Sequence, residues 1–143
     1  MFSPPDSPLV LVVDYRESER RLIAKALLTA DFRVAEAATG DEALAVFLQR
    51  QPQIVVLDLL MPFTGGLSAC RLLRAQPGGQ NLLILMFSGL QDAGTIRRVY
   101  DAGASDFLAK PSVASTLRDY AALTSRLLFL WRNWYLTASD RFD

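Results

Sequence analysis

Continuous apolar runs alternate along this chain with segments in which apolar residues recur at helical spacing. Leu9–Val13, Ile54–Leu57 and residues 82–87 are the three strongest runs, and such runs are typical of strands buried on both faces. Residues 32–36 and Asp106–Ala109 are shorter strand candidates. The alternation predicts five β-α units, and hence an α/β fold with a parallel sheet and helices on both of its faces.

The segments between these runs carry helix signals. Residues 17–30 show an apolar stripe with helical spacing, and the Thr39-to-Glu42 spacing matches a capping box that begins a second helix. Gly65 and Gly66 precede a third helix. Gly103 closes a fourth helix, and a last helical segment is expected from about residue 112.

Four polar residues stand immediately after predicted strands: Asp14, Asp58, Ser88 and Lys110. The carboxyl ends of parallel strands share one edge of the sheet, and sites in such folds form there. Two carboxylates, a hydroxyl and an ammonium at one edge suit phosphoryl chemistry. A carboxylate can act as nucleophile, and the cation can neutralise phosphoryl oxygens.

Composition narrows the possible chemistry. The 143 residues include no His and a single cysteine, Cys70, which excludes histidine-based triads, imidazole metal ligands and an intramolecular disulfide. The 15 basic and 15 acidic residues balance, so no direct nucleic-acid binding is expected. No apolar run has the roughly 18–20 residues of a membrane span. The N-terminal residues lack a signal-peptide pattern, and a cytoplasmic location is expected.

Several motifs in order give the chain a family resemblance. It resembles the receiver domain of two-component response regulators over about residues 8–125, and the resemblance implies a doubly wound, flavodoxin-like (β/α)5 fold with strand order 2-1-3-4-5. The motifs lie at residues 11–14, at 55–62 with Gly65 and Gly66 after them, at 86–89, at 102–107 and at Lys110-Pro111.

The resemblance also implies roles around a phosphoryl group. Asp58 corresponds to the phosphoacceptor, which receives the group from the phosphohistidine of a sensor histidine kinase or phosphotransfer protein. Ser88 and Lys110 correspond to the switch hydroxyl and the lysine that contact the phosphoryl oxygens. Phe107 corresponds to the aromatic switch, and Gly89 would leave the pocket open. A cis bond between Lys110 and Pro111 is a further expectation.

The metal site departs from the family pattern. The resemblance implies Mg²⁺ bound by Asp14, Asp58 and the backbone carbonyl of Leu60. Family members usually carry two adjacent acids after the first strand, whereas Tyr15 follows Asp14 here. Because Mg²⁺ needs well-placed oxygen ligands, the missing carboxylate predicts weakened metal binding.

Alternatives at this position stay open. Glu17 could reach back to the site, or Arg16 could pair with Asp58 and imitate the cation. The chain could then be a degenerate pseudo-receiver, a phosphorylation-independent protein-binding or dimerisation module. A flavodoxin-like cofactor binder is disfavoured, because Asp14 to Glu17 stands where a glycine-rich phosphate loop would follow the first strand.

The C-terminal segment predicts an extended helix, since residues 113–136 contain neither Pro nor Gly. We divide the chain into a lead-in at 1–8, a receiver at 9–125, and an extension at 126–143 that serves as linker or dimer interface. The aromatic stripe of this extension would be exposed in a monomer, and that exposure predicts a homodimer. The alternative is a helix folded back on its own domain. The predicted interface residues are Leu127, Leu130, Trp131 and Trp134.

The predicted activity is signalling, not catalysis. The resemblance implies a receiver switched by phosphorylation of Asp58 that passes the change through its last helix. No output motif is present in these residues, so an output domain, such as a diguanylate cyclase or a histidine kinase, would lie outside this chain.

Overall fold

The computed structural model describes residues 7–112 and 116–142, with side chains up to Trp134. Most of the predicted lead-in at 1–8 and the segment at 113–115 lie outside the described residues. No helix in the described part of the chain is long and apolar enough to cross a membrane.

Five strands form one parallel sheet in the order β2-β1-β3-β4-β5, which confirms the predicted fold and strand order. The strands are β1 Leu9–Val13, β2 Arg33–Ala37, β3 Ile54–Leu57, β4 Leu83–Ser88 and β5 Asp106–Ala109. The helices are α1 Glu17–Thr29, α2 Gly40–Arg50, α3 Gly66–Arg74, α4 Ala93–Asp101 and α5 Ala121–Phe142, with 3₁₀ turns at Gly79–Asn81 and Leu117–Tyr120.

The centre of the sheet is buried on both faces because β1 and β3 are apolar at every position and β4 is apolar up to Phe87. Leu11 and Val13 of β1 pack into the core layer beneath α2, α3 and α4, whereas Val10 and Val12 pack into the layer beneath α1 and α5. Alternate residues of a strand point to opposite faces, so one continuous run supplies both layers. The polar residues that follow the strands lie at the carboxyl-terminal edge of the sheet.

The capping signals in the sequence act as expected. The Oγ1 atom of Thr39 accepts a hydrogen bond from the Glu42 amide at 3.2 Å, and the Glu42 carboxylate accepts one from the Ala38 amide at 2.6 Å. Thr116 and Asp119 form a second capping box, at the 3₁₀ turn before α5. These caps satisfy amides that would otherwise lack partners at the helix start.

The C-terminal helix α5 corrects one expectation. The helix has 22 residues, and its described part packs on the face of the sheet, with Leu127 and Trp131 buried in the core layer with α1. Leu130 and Trp134 are partly buried against the same layer, and the two indole rings stack with centroids 5.4 Å apart. The expectation that this stripe is exposed in a monomer is therefore wrong, because the chain's own sheet covers it. The homodimer itself stays a prediction.

Candidate functional site

The residues predicted at the strand ends meet at one edge of the sheet. Asp14 follows β1, Asp58 follows β3, Ser88 ends β4 and Lys110 follows β5. The Nζ atom of Lys110 lies 3.0 Å from Asp14 Oδ2 and 3.4 Å from Asp58 Oδ1. Parallel pairing aligns the ends of neighbouring strands, so four residues far apart in the sequence become neighbours.

Lys110 is held in place by contacts of both its backbone amide and its side-chain ammonium. Its backbone amide donates to the Ser88 carbonyl at 2.9 Å, and its ammonium lies 5.8 Å from the centroid of the Phe87 ring. Burial opposes the charged ammonium, but the carboxylates of Asp58, Asp14 and Glu19 outweigh burial and raise the pKa of Lys110. The side chain therefore stays cationic at neutral pH.

Asp58 is a buried carboxylate, only 5% exposed. Burial raises its pKa above the ordinary value, and the negative charge of Asp14 adds to that rise, while Lys110 and the Leu60 backbone amide oppose it. A carboxylate with reduced solvation beside a fixed ammonium is suited to nucleophilic attack on an anionic phosphoryl donor.

The loop after β3 is held close to α3 by a glycine. The Gly66 amide donates to the Leu59 carbonyl at 2.9 Å, and a Cβ atom at Gly66 would collide with the Asp58 carbonyl. A Cβ atom at Gly65 would only approach the Leu59 carbonyl, at 4.0 Å. Gly66 therefore sets the path of the loop that carries Asp58 and Leu60.

The other predicted pocket residues occupy different positions. Ser88 is buried, and its Oγ accepts from the Leu90 amide at 3.2 Å. Gly89 lines the open cavity, and a Cβ atom there would meet nothing within 4 Å. Phe107 is half-buried against the core layer beneath α2, α3 and α4. The bond from Lys110 to Pro111 is trans, so the expected cis bond is not found.

A third acid reaches Lys110 from α1, and it does not come from position 15 or 17. Tyr15 is half exposed, and Glu17, whose side chain is 66% exposed, pairs with Arg21 at 3.0 Å. Glu19 instead reaches the site: its Oε1 lies 3.1 Å from Lys110 Nζ, and its side chain is only 17% exposed. Of the alternatives left open for this position, the one in which Glu17 reaches back to the site is not found, because Glu17 begins α1 and points away.

Arg16 also differs from its expected role. Its Nε pairs with Glu19 Oε2 at 3.2 Å, and its backbone amide donates to Asp14 Oδ1 at 2.9 Å. The structure records no ion pair between Arg16 and Asp58, so Arg16 does not take the place of a cation beside that carboxylate. It holds the third acid of the site.

Sequence reasoning also missed Tyr120, which ends the 3₁₀ turn before α5. Its ring packs edge-on against Phe87 with centroids 6.1 Å apart. Its hydroxyl is buried and has no hydrogen-bond partner in the described part of the chain. Burial and the negative charge of Glu19 raise the pKa of Tyr120 to about 12, so the hydroxyl keeps its proton.

An open cavity of about 720 Å³ gives access to this cluster. Its walls come from α1, the loops after β3 and β4, the Lys110-Pro111 segment and the turn before α5. The lining residues that the site uses are Arg16, Glu19, Asp58, Leu60, Ser88, Gly89, Lys110 and Tyr120.

The donor set fits a hydrated magnesium ion. Asp14 and Asp58 bring two buried carboxylates together, and Mg²⁺ is commonly held by one or two carboxylates while it keeps several waters. Among the described residues, no group of three or more acidic or Cys side chains is arranged to hold a metal ion. Lys110 already lies between the carboxylates, so a metal ion here would compete with its ammonium.

Comparisons of this sequence with known proteins all identify the same family. The family model described as "Response regulator receiver domain" matches residues 10–122. The chain is 34% identical over 105 residues to the response regulator PleD of Caulobacter vibrioides, covering 73% of this chain and 23% of PleD. It is 32% identical over 102 residues to the transcriptional regulatory protein ResD of Bacillus subtilis, covering 71% of this chain and 41% of ResD. The chain therefore spans less than half of these relatives.

Solved structures agree with the sequence matches. The chemotaxis response regulator CheY4 of Vibrio cholerae superposes with a TM-score of 0.75 at 26% identity, covering 84% of this chain and 98% of that one. The BeF3-activated N-terminal receiver domain of RstA from Klebsiella pneumoniae gives a TM-score of 0.73 at 27% identity, covering 85% of this chain and 96% of that one.

Proposed function

Because the chain belongs to the response regulator receiver domain family, we propose that Asp58 is its phosphoacceptor. The observation that carries this proposal is the position of Lys110, whose ammonium lies between the buried carboxylates of Asp58 and Asp14 at the floor of an open cavity. This arrangement places a nucleophilic oxygen, a fixed cation and solvent access together. The donor is a phosphohistidine on a sensor histidine kinase or phosphotransfer protein, since this chain has no His.

The transfer exchanges one bond to phosphorus for another. An oxygen of the Asp58 carboxylate attacks the phosphorus, the nitrogen–phosphorus bond of the donor breaks, and its electron pair returns to the imidazole. The acceptor becomes an acyl phosphate, and the site gains negative charge. Lys110 neutralises part of that charge, and it does so effectively because its own side chain and that of Asp58 are largely removed from water.

Magnesium is the proposed cofactor. Asp14, Asp58 and the Leu60 carbonyl would hold it, and it would neutralise phosphoryl oxygens. The missing acid at Tyr15 and the competing ammonium of Lys110 both favour weak binding. Asp14 keeps one oxygen on the Arg16 amide, which orients its carboxylate toward the site.

The switch roles follow the same reasoning. Ser88 at the end of β4 would exchange its contact with the Leu90 amide for the phosphoryl group. Phe107 would turn further into the core layer that it already touches as that loop moves. Gly89 keeps the entrance free of side chain. The change then reaches an output domain outside this chain, as the greater length of the curated relatives suggests.

The test is phosphorylation by a small-molecule phosphodonor with Mg²⁺, followed by intact mass. We expect one added phosphoryl group in the wild type and none in Asp58→Ala. Asp101→Ala, which removes an exposed aspartate at the end of α4, is the matched control and should retain the adduct. An adduct that persists in Asp58→Ala, or its absence from the wild type at every Mg²⁺ concentration, would refute the proposal.

A further inference from the structure

Lys110 contacts three carboxylates, and the third belongs to α1. Its Nζ atom lies 3.0 Å from Asp14, 3.1 Å from Glu19 and 3.4 Å from Asp58. An ammonium group has three donors and no more. The three carboxylates therefore use its full capacity in this state.

A phosphoryl group on Asp58 changes that balance. Its oxygens take over the donor that now contacts Asp58 Oδ1 and compete for the other two. Lys110 can therefore give the phosphoryl group a second donor only by releasing Asp14 or Glu19. Asp14 is buried and keeps a second contact with the Arg16 amide. Glu19 has a longer side chain in the first turn of α1, and its other oxygen pairs with the mostly exposed Arg16 side chain. Glu19 is therefore the partner that can be released at the lowest cost.

The structure also contains a donor that could replace Lys110. Tyr120 lines the same cavity as Glu19, and its buried hydroxyl has no hydrogen-bond partner among the residues that the structure describes. A buried hydroxyl with no partner is costly, so it gains free energy from any acceptor that becomes available. A Glu19 carboxylate that has lost Lys110 is such an acceptor.

We propose that Glu19 is a positioning residue that holds Lys110 while Asp58 is unmodified and exchanges it for the Tyr120 hydroxyl when Asp58 carries a phosphoryl group. This inference rests on the proposed function of Asp58. Tyr120 directly precedes α5, so the exchange would transmit the state of the acceptor to the first turn of the C-terminal helix.

The first experiment measures the affinity for beryllofluoride, a phosphoryl mimic, at saturating Mg²⁺. Glu19→Met removes the charge and the acceptor while keeping side-chain length. It should bind beryllofluoride at least about threefold more tightly than the wild type, since Lys110 no longer leaves a carboxylate. Glu17→Met, in the same helical turn but paired with Arg21 away from the cavity, is the matched control and should stay within about twofold. Equal affinities in the two variants would overturn the inference.

A second substitution separates positioning from packing. Tyr120→Phe keeps the ring against Phe87 and removes only the hydroxyl. We expect about threefold weaker beryllofluoride binding in the wild-type background and no measurable change in the Glu19→Met background, because the hydrogen bond needs both partners. The same loss in both backgrounds would contradict the exchange.

Failure of the proposed function has a different signature. If the wild type binds no beryllofluoride, or Asp58→Ala binds it equally well, the phosphoacceptor assignment fails. The contact between Glu19 and Lys110 is then tested without a phosphoryl mimic. The experiment is a double-mutant cycle of Glu19→Met and Lys110→Met, measured by urea unfolding. We expect coupling of at least about fivefold in the unfolding equilibrium constant, and additive effects would refute the positioning role.

Discussion

The edge of the sheet and the C-terminal helix both bury side chains, but burial has opposite effects on the free energy of folding in the two regions. At the edge, burial raises the pKa of Asp58 and so acts against its charged form. On α5, burial of Leu127 and Trp131 removes apolar surface from water, which favours folding. In the first region burial disfavours a charged group, and in the second it stabilises the fold.

The two regions also meet in one place. Tyr120 packs on Phe87 of β4 in the same layer as Leu127 and Trp131, and it also lines the cavity at the edge. Leu127 and Trp131 fix α5 to the core, so the part beside Tyr120 can respond without losing those contacts. Substitutions can therefore test whether stability and reactivity are separable here.

The largest expected effect is a loss of stability caused by a substitution in α5. Trp131 is 7% exposed, so Trp131→Ala should lower the free energy of unfolding by about 3–5 kcal/mol, the usual cost of removing a large buried aromatic side chain. Phe129→Ala, which removes a ring that is 63% exposed on the same helix, should change it by less than about 0.5 kcal/mol. Urea denaturation monitored by circular dichroism measures both values.

Protein concentration distinguishes a core from an interface. A core residue lowers stability equally at any concentration, whereas a residue at a dimer interface makes the loss depend on concentration. If the effect of Trp131→Ala disappears on dilution, the stripe is an interface and the comparison drawn above is wrong.

The fold was predictable because each strand has a recognisable local pattern in the sequence. Leu9–Val13 and Ile54–Leu57 are apolar throughout, and both end at an aspartate. Buried parallel strands require that pattern, and strand order followed from the family resemblance. The burial of Trp131 was not predictable, since an apolar stripe on a helix shows that it is covered but not by what.

The candidate site was predictable where a residue follows a strand, and not where it belongs to a helix. Asp58 and Lys110 were placed correctly because strand ends coincide. Glu19 was not identified, and Glu17 was only an open alternative, although helical spacing carried the signal: Glu19 lies one turn before the buried Ile23, whereas Glu17 lies one turn before the exposed Arg21. The orientation of Tyr120 depends on the 3₁₀ turn before α5, which the sequence did not reveal.

The second prediction concerns the loop that carries the acceptor. Gly66→Ala should lower the free energy of unfolding by about 1–3 kcal/mol, because its Cβ atom would collide with the Asp58 carbonyl and force the loop to move. Gly65→Ala has room for its Cβ atom and should cost less than about 0.5 kcal/mol. Gly66→Ala should also weaken beryllofluoride binding, while Gly65→Ala leaves it near the wild-type value. Equal stability of the two variants would mean that the close approach at Gly66 does not position the acceptor.

The smallest expected effect is a gain of stability at the edge. Burial keeps the pKa of Asp58 in the folded protein above its ordinary value of 3.8, so between the two values the folded state holds a proton that the unfolded state has lost. Stability attributable to this group therefore falls as pH rises through that window. Asp58→Asn cannot ionise, and Lys110 keeps Asp14 and Glu19 as partners. The variant should match the wild type below pH 3.8 and exceed it at neutral pH by about 1 kcal/mol, the typical size of a single-substitution effect. Urea unfolding over this pH range, with the exposed Asp101→Asn as control, measures the difference. A variant less stable than the wild type at neutral pH would show that the ion pair with Lys110 outweighs the burial of Asp58, and that reactivity at the edge carries no cost in stability.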